Sequence, residues 1–102
     1  MRDANRVELS GALSELGKLR YTPAGVPVIE FRLRHESQRP EAGAERTVSV
    51  ELAAIAFEAQ ANLIAGAPLE SLLRLQGFLC AKSRRSKKPV LHVTNIEFIE
   101  GD

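Results

Sequence analysis

The residues best suited to a chemical role lie in one short segment, Lys82–Lys88, where five of seven residues are cationic and none is acidic. The whole chain has 14 Lys+Arg and 13 Asp+Glu, so the remainder holds 9 basic and 13 acidic residues, a balance of about −4. A cationic loop on a mildly acidic body suits the phosphates of a polyanion. The competing interpretation is an ordinary solvated hairpin tip.

Catalytic and metal-binding chemistry finds little support in the residue types. His35, His92 and Cys80 are candidate metal ligands, but a fourth ligand at suitable spacing is missing and each lies singly on a predicted strand. No Ser/His/Asp or Cys/His arrangement, Gly-rich phosphate loop or carboxylate pair stands out. Ser83 and Ser86 are polar enough to donate to phosphates but indicate no catalysis. We therefore expect no enzyme, cofactor, metal or small-molecule substrate.

Length and composition predict one small domain over residues 1–102. The 44% apolar and 26% charged residues are typical of a globular protein. The single cysteine, Cys80, has no intramolecular disulfide partner, which favours a reducing compartment. No apolar run follows the polar N-terminus and no stretch is long enough to cross a bilayer, so the expectation is a cytoplasmic protein without membrane contact.

The hydrophobic pattern predicts five strands and one short helix that together must position the cationic segment. The expected elements are a first strand over Val7–Ser14, a second over Val28–Glu36, a third from Arg46 to Leu52, a helix over Ala53–Ala65, a fourth strand over Leu73–Leu79 and a fifth over Val90–Glu100. The start of the helix is ambiguous, because alternation and helical spacing overlap at Ala53–Phe57. Glu15–Gly25 and Gln38–Glu45 are predicted loops.

Two finer features accompany this pattern. A change of parity near Thr94 predicts a bulge in the fifth strand, and Gly11 on an apolar face predicts a bend or a close backbone approach. The order of three strands, a helix and two strands is that of an all-β, five-stranded OB-fold barrel. Such barrels bind oligonucleotides on the surface of strands two and three, between the loops that join strands one to two and four to five. Here the four-to-five loop is the cationic segment.

The chain also resembles a known family, primosomal replication protein N (PriB), a relative of bacterial single-stranded DNA-binding protein. The residues that carry the resemblance are Asn5-Arg6, Leu9-Ser10-Gly11, Pro23–Pro27, Phe31, Leu33, His35, Glu41-Ala42-Gly43, Arg46, Gln76-Gly77-Phe78, Cys80, Val90-Leu91-His92 and Ile96-Glu97. The resemblance implies a homodimer of OB folds that binds single-stranded DNA. It also implies a role in restarting stalled replication forks, by stabilising the PriA helicase on DNA and helping to recruit DnaT.

Ten residues form the predicted DNA-binding set. They are Lys18, Arg20, Tyr21, Arg34, Arg46, Lys82, Arg84, Arg85, Lys87 and Lys88. Arg34 and Arg46 are expected either on the ligand face or in cross-strand ion pairs with Glu36 or Glu51. Arg32 is expected to pair with Glu30 across the sheet edge. Tyr21, in the first loop beside two cations, is either an exposed stacking residue or packed at the base of that loop.

Aromatic stacking is expected to contribute little. All four phenylalanines, Phe31, Phe57, Phe78 and Phe98, lie in or beside apolar runs and are predicted core residues. Where the resemblance implies aromatics on strands two and three, this chain has Ala44 and Ser49, and it has no Trp. Binding would then rest on phosphate contacts, each steepening the salt dependence by a slope of about 0.7.

Two functions of different classes remain open from the sequence. The first is a non-enzymatic, single-stranded DNA-binding accessory factor of replication restart. The second is chiefly a protein–protein adaptor, in which the same barrel surface docks a helicase and DNA contact is weak and secondary. The mixed charge of the second strand, with Glu30 and Glu36 beside Arg32 and Arg34, and the missing aromatics give weight to the second, and both functions could hold on overlapping surfaces.

Overall fold

Five long strands close into a barrel, with one short helix across its end. A computed structural model of the chain describes residues 3–99. Its elements are β1 (Val7–Leu16), β2 (Arg20–Tyr21), β3 (Pro27–Glu41), β4 (Ala44–Phe57), α1 (Ala59–Ala65), β5 (Leu72–Ala81) and β6 (Pro89–Phe98). The sheet order is β1-β5-β6-β4-β3-β2, and an additional pairing of β1 with β3 closes the barrel. This confirms the predicted OB fold, with predicted strands one to five corresponding to β1, β3, β4, β5 and β6.

The barrel interior is filled by apolar side chains that alternate with outward-facing residues along each strand. On β3 the inward residues Ile29, Phe31 and Leu33 are buried, as their alternation predicts. Leucines and small residues from the other strands complete the core. Burying each large aliphatic side chain stabilises the fold by about 1.5–3 kcal/mol. The opposite parity of β3 consequently faces outward and is free to carry charge.

The segment Gln38–Glu45 was predicted as a loop, and that prediction is wrong. β3 and β4 continue through it as a paired hairpin, from Val28 opposite Phe57 to Glu41 opposite Ala44. Only two residues form the turn, Ala42 and Gly43, with φ of 53° and 81°. Positive φ at both positions is the type I′ turn that matches strand twist. Both faces of this distal hairpin are largely exposed, so the sequence has no apolar alternation to indicate a strand.

The helix begins later than predicted, at Ala59 rather than Ala53. Ala54 and Ala56 instead point into the core from β4, which pairs with β3 on one side and runs parallel to β6 on the other. Glu58, at φ 57°, breaks the strand. Small apolar residues are compatible with either a helix or a strand. Here pairing with β3 and β6 makes the segment a strand. Within residues 3–99, no helix combines the length and apolar character needed to cross a bilayer.

Two local predictions are confirmed. The register of β5 and β6 shifts by one residue: Gln76 lies opposite Asn95, but the next residue, Gly77, lies opposite Val93. Thr94 is therefore the extra residue of the predicted bulge. Gln60 of α1 secures that region, since its Oε1 accepts the backbone N–H of Ile96 at 2.9 Å. At Gly11, an added Cβ would lie 2.3 Å from the carbonyl oxygen of Arg34, which is the predicted close approach. The predicted end of the last strand, Glu100, lies outside the described residues.

Candidate nucleic-acid interface

An open trough of about 540 Å³ lies between the outer surface of the β3–β4 hairpin and the base of the β5–β6 hairpin. Lys82 and Lys88 line it from the β5–β6 side, and Arg32, Leu52 and Ala53 line it from the β3–β4 side. Charge and strand order each predicted one surface formed from these two elements, and the structure brings them together there. Three carboxylates also line the trough, Glu15, Glu30 and Glu51.

The cationic segment is an ordered turn whose charges point into solvent. The backbone N–H of Lys82 donates to the carbonyl of Lys88 at 2.9 Å, continuing the β5–β6 pairing. Ser83 Oγ accepts the backbone N–H of Arg85 and Ser86, at 3.2 and 3.1 Å, so this serine supports the turn. None of the five cations has a carboxylate partner within 4 Å among residues 3–99. Their charge is therefore available to a ligand.

The arginines of the β3 wall are, by contrast, already paired. Arg32 lies 2.9 Å from Glu51 and 3.5 Å from Glu15. Arg34 forms two hydrogen bonds with the Glu70 carboxylate, at 2.5 and 3.2 Å. Their sequence-predicted partners are therefore wrong: Arg32 was expected to pair with Glu30, and Arg34 with Glu36 or Glu51.

The contact between Arg34 and Glu70 shifts the pKa values of both side chains. The hydrogen bonds from Arg34 hold the pKa of the Glu70 carboxyl below its usual range, and the same hydrogen bonds raise the pKa of Arg34. Charge attraction adds to both effects. A bidentate guanidinium–carboxylate contact is the strongest form of such a pair. A phosphate that binds Arg34 would therefore have to displace the carboxylate of Glu70.

Three further predicted residues, Lys18, Arg20 and Tyr21, lie between β1 and β3. Arg20 lies beside the trough and pairs with its Glu30 at 2.9 Å. Lys18 is exposed next to the trough residue Gly17. Tyr21 is 63% exposed, so the alternative that packs it at the base of the loop is wrong. Its stacking on a base stays a prediction.

Arg46 lies far from the trough. Its position on β4 is five residues before Glu51, about 17 Å along the strand towards the turn of the distal hairpin. There it pairs with Glu41 at 2.5 Å, near the turn of the distal hairpin. The sequence-predicted partners Glu36 and Glu51 are wrong for this arginine too. Its assignment to the binding surface stays a prediction.

Sequence reasoning missed an aromatic cluster on the outer face. Phe31 is buried as predicted, but Phe57, Phe78 and Phe98 are 39%, 41% and 44% exposed, so their assignment to the core is wrong. Phe57 and Phe78 each stack on the ring of His92. The signal was available on β5, where Leu73 and Leu75 point inward and Phe78 has the opposite parity.

The candidate metal ligands do not come together. Among residues 3–99, no group of three or more His, Cys, Asp and Glu side chains is arranged to hold a metal ion. His35 instead lies 2.6 Å from the carbonyl oxygen of Ser10 through Nδ1 and 2.9 Å from Ser37 Oγ through Nε2. This histidine thus bridges β1 and β3.

Comparison with known proteins identifies the family to which the chain belongs. Residues 5–95 match a family described as another single-strand binding protein family. The replication restart protein PriB of Bordetella pertussis is 40% identical over 97 residues, which is 95% of this chain and 91% of that protein.

Solved structures agree with the sequence matches. The structure of priB from Ralstonia solanacearum superposes with a TM-score of 0.83 at 30% identity, covering 95% of this chain and all of that one. The single-stranded DNA-binding protein of Thermus aquaticus superposes with a TM-score of 0.79 at 25% identity, covering 99% of this chain and 52% of that one. The chain therefore belongs to the single-strand binding protein family and, within it, to the PriB group of replication restart proteins.

Proposed function

We propose that this chain is a non-enzymatic accessory protein of replication restart that binds single-stranded DNA in the trough beside the Lys82–Lys88 hairpin. The observation that carries the proposal is the set of five cations in that hairpin, which have no carboxylate within 4 Å among residues 3–99 and of which Lys82 and Lys88 line the trough. The names of its relatives, replication restart protein PriB and single-stranded DNA-binding protein, support the ligand class. By the same resemblance, we propose that it stabilises the PriA helicase on DNA and helps to recruit DnaT.

The homodimer is likewise a proposal, and one feature of β1 supports it. β1 pairs with β5 from Val7 to Ala12 but with β3 only from Ala12 onward. Over Val7–Leu9 one edge of β1 therefore has no strand paired with it among residues 3–99, whereas at Ser10 and Gly11 β3 already lies alongside. An open edge is a template on which a second copy can pair. Sedimentation equilibrium giving a monomer at micromolar concentration would contradict this part of the proposal.

Salt dependence tests the DNA-binding mode. We expect modest affinity for oligo(dT), measured by fluorescence anisotropy, that falls steeply with salt because cation–phosphate contacts dominate. Arg84→Gln should flatten the slope of log K against log salt by about 0.7. Arg39→Gln is the matched control, an exposed arginine on the distal hairpin that also lacks a carboxylate partner within residues 3–99. Absence of binding, or binding that is flat with salt, would refute the proposal.

The adaptor function remains a second candidate, because the wall cations are paired and the trough contains three carboxylates. Simultaneous charge reversal of Lys82, Arg84 and Arg85 separates the two functions. Loss of DNA binding with retained affinity for the helicase supports the DNA-binding role. Loss of helicase affinity with little change in DNA binding supports the adaptor.

A further inference from the structure

A row of stacked aromatic rings lies on the outer face of the barrel, outside the trough. The rings of Phe78 and His92 have centroids 5.2 Å apart and an interplanar angle of 21°. Phe57 lies on the other strand beside His92, at 6.2 Å and 29°. We call these three residues the aromatic ledge. Two-fifths of each phenylalanine is exposed, although aromatic side chains are ordinarily buried to gain from the hydrophobic effect.

The ledge is continuous with the trough. Val90 lines the trough, and His92 is two residues further along β6 on the same face, about 7 Å away. His92 pairs with Ile55 of β4 on one side and with Phe78 of β5 on the other. The outer face of β4, β5 and β6 is thus one continuous surface, and the cationic hairpin lies at the end where β5 turns into β6.

A second groove, of about 410 Å³, begins where the ledge ends. Phe78 lines it, together with Gln76, Thr94 and Arg6. Arg6 is exposed and has no carboxylate within 4 Å among residues 3–99. The one carboxylate of this groove, Glu8, accepts a hydrogen bond from Gln76 at 2.9 Å. Among residues 3–99, a cation without a carboxylate partner therefore lies beyond the ledge, just as such cations lie before it.

This alternation of cation, aromatic face and cation is the pattern that binds an unpaired strand without sequence preference. Cations follow the phosphates, and aromatic faces stack on bases of any identity. A protein partner would be expected to cover a larger continuous apolar patch. Here the ledge is narrow, and charged pairs such as Arg74–Glu97 occupy the same outer face of β5 and β6.

We propose that a single strand leaves the trough, crosses the ledge with bases stacked on Phe78 and His92, and reaches Arg6 in the second groove. This inference rests on the proposed function, because it extends the path of the same ligand. It supplies the stacking contribution that the β3–β4 wall of this chain lacks. It also gives Arg6, otherwise a plain surface charge, a phosphate to neutralise.

The test separates stacking from charge. Phe78→Leu keeps an apolar side chain but removes the ring, so oligo(dT) affinity should fall by about 5- to 100-fold with an unchanged salt slope. Arg6→Gln should instead flatten the slope by about 0.7. Phe98→Leu, at an equally exposed phenylalanine of β6 outside the ledge, is the matched control and should bind like the wild type. Thermal melts establish that each variant is folded.

A spectroscopic reporter covers the case in which Phe78→Leu destabilises the fold. The chain has no tryptophan, so Phe78→Trp introduces a single indole. Its fluorescence should be quenched by oligo(dT), whereas that of Leu63→Trp, on the exposed side of α1, should not.

The outcomes distinguish this inference from the proposed function. Wild-type binding that Phe78→Leu leaves unchanged, with an unquenched indole, overturns the ledge and leaves trough binding intact. Failure of the wild type to bind at all overturns both. If Phe78→Leu alters only oligomeric state or helicase affinity, the ledge is a protein-docking surface and the inference is wrong.

Discussion

The side-chain amide of Asn5 is hydrogen-bonded twice to the backbone of Leu79. Asn5 Nδ2 donates to the Leu79 carbonyl at 2.8 Å, and the Leu79 N–H donates to Asn5 Oδ1 at 2.9 Å. The amide thus imitates a neighbouring strand for one residue of β5. Leu79 lies three residues before Lys82, so the contact fixes the strand that carries the cationic hairpin.

Replacing Asn5 by Ala should loosen that strand. Two hydrogen bonds of about 0.5–1.5 kcal/mol each are lost, so the free energy of unfolding should fall by about 1–3 kcal/mol. Urea denaturation measures the loss, and faster amide exchange at Leu79 would locate it. Asn62→Ala, on the exposed face of α1, is the control and should not destabilise. Equal stability of Asn5→Ala and wild type would show that the contact contributes nothing.

Gly11→Ala should strongly destabilise the barrel. The new Cβ would lie 2.3 Å from the Arg34 carbonyl oxygen, so β1 and β3 must separate where they close the barrel. We expect a loss of about 2–3 kcal/mol, seen as a lower Tm by roughly 10–20 °C. Gly66→Ala, where an added Cβ meets nothing within 4 Å, should melt near the wild-type temperature. Similar melting of both variants would contradict the close approach.

Glu51→Gln should strengthen binding of single-stranded DNA, if the trough is the binding site. The change removes a negative charge from the trough and frees Arg32 from its 2.9 Å partner. At contact distance in water one such charge is worth about 1 kcal/mol, so affinity should rise about fivefold at low salt. Glu45→Gln, on the distal hairpin, is the charge-matched control. An unchanged or weaker affinity of Glu51→Gln would place the strand elsewhere.

Glu70→Gln should lower stability at neutral pH but not in acid. Because hydrogen bonds from Arg34 hold the Glu70 pKa below its usual range, the pair stabilises the fold at pH above the ordinary carboxyl pKa. That stabilisation is lost as the pH falls through the lowered pKa. Urea midpoints of wild type and Glu70→Gln should therefore differ at pH 7 and converge once the pH has fallen below the lowered pKa of Glu70. A gap that persists in acid would mean that the pair does not act through this ionisation.

The sequence predicted the barrel well because its long strands bury one face. Alternation over Ile29, Phe31 and Leu33, and the parity change at Thr94, both follow from a pleated chain against a core. Prediction failed where that constraint is absent. The distal hairpin has two solvated faces and so lacks an apolar alternation. Ala53–Phe57 is a strand because it pairs with β3 and β6, and these partners are not visible in its own local sequence.

The candidate site was predictable in its charges and less so in its contacts. Lys82–Lys88 stands out by composition, and the strand order places it beside the wall. Glu70, the partner of Arg34, and Glu15, the second partner of Arg32, were not predictable, because they approach from a connecting segment and a bulged strand whose geometry no local pattern encodes. The ledge was missed because Phe57 and Phe78 lie within apolar runs, although the parity of Phe78 on β5 indicated the outer face.

The paired arginines of the wall set a threshold for any anion. A free phosphate that approaches Arg32 or Arg34 exchanges one charge-assisted contact for another and gains little, since a carboxylate is already in place. A polymer first anchored at the hairpin raises its own local concentration and makes the exchange effectively intramolecular. The arginines of the wall should thus bind nucleoside triphosphates poorly. They should bind a polyanion only when it is long enough to reach them from the cationic hairpin.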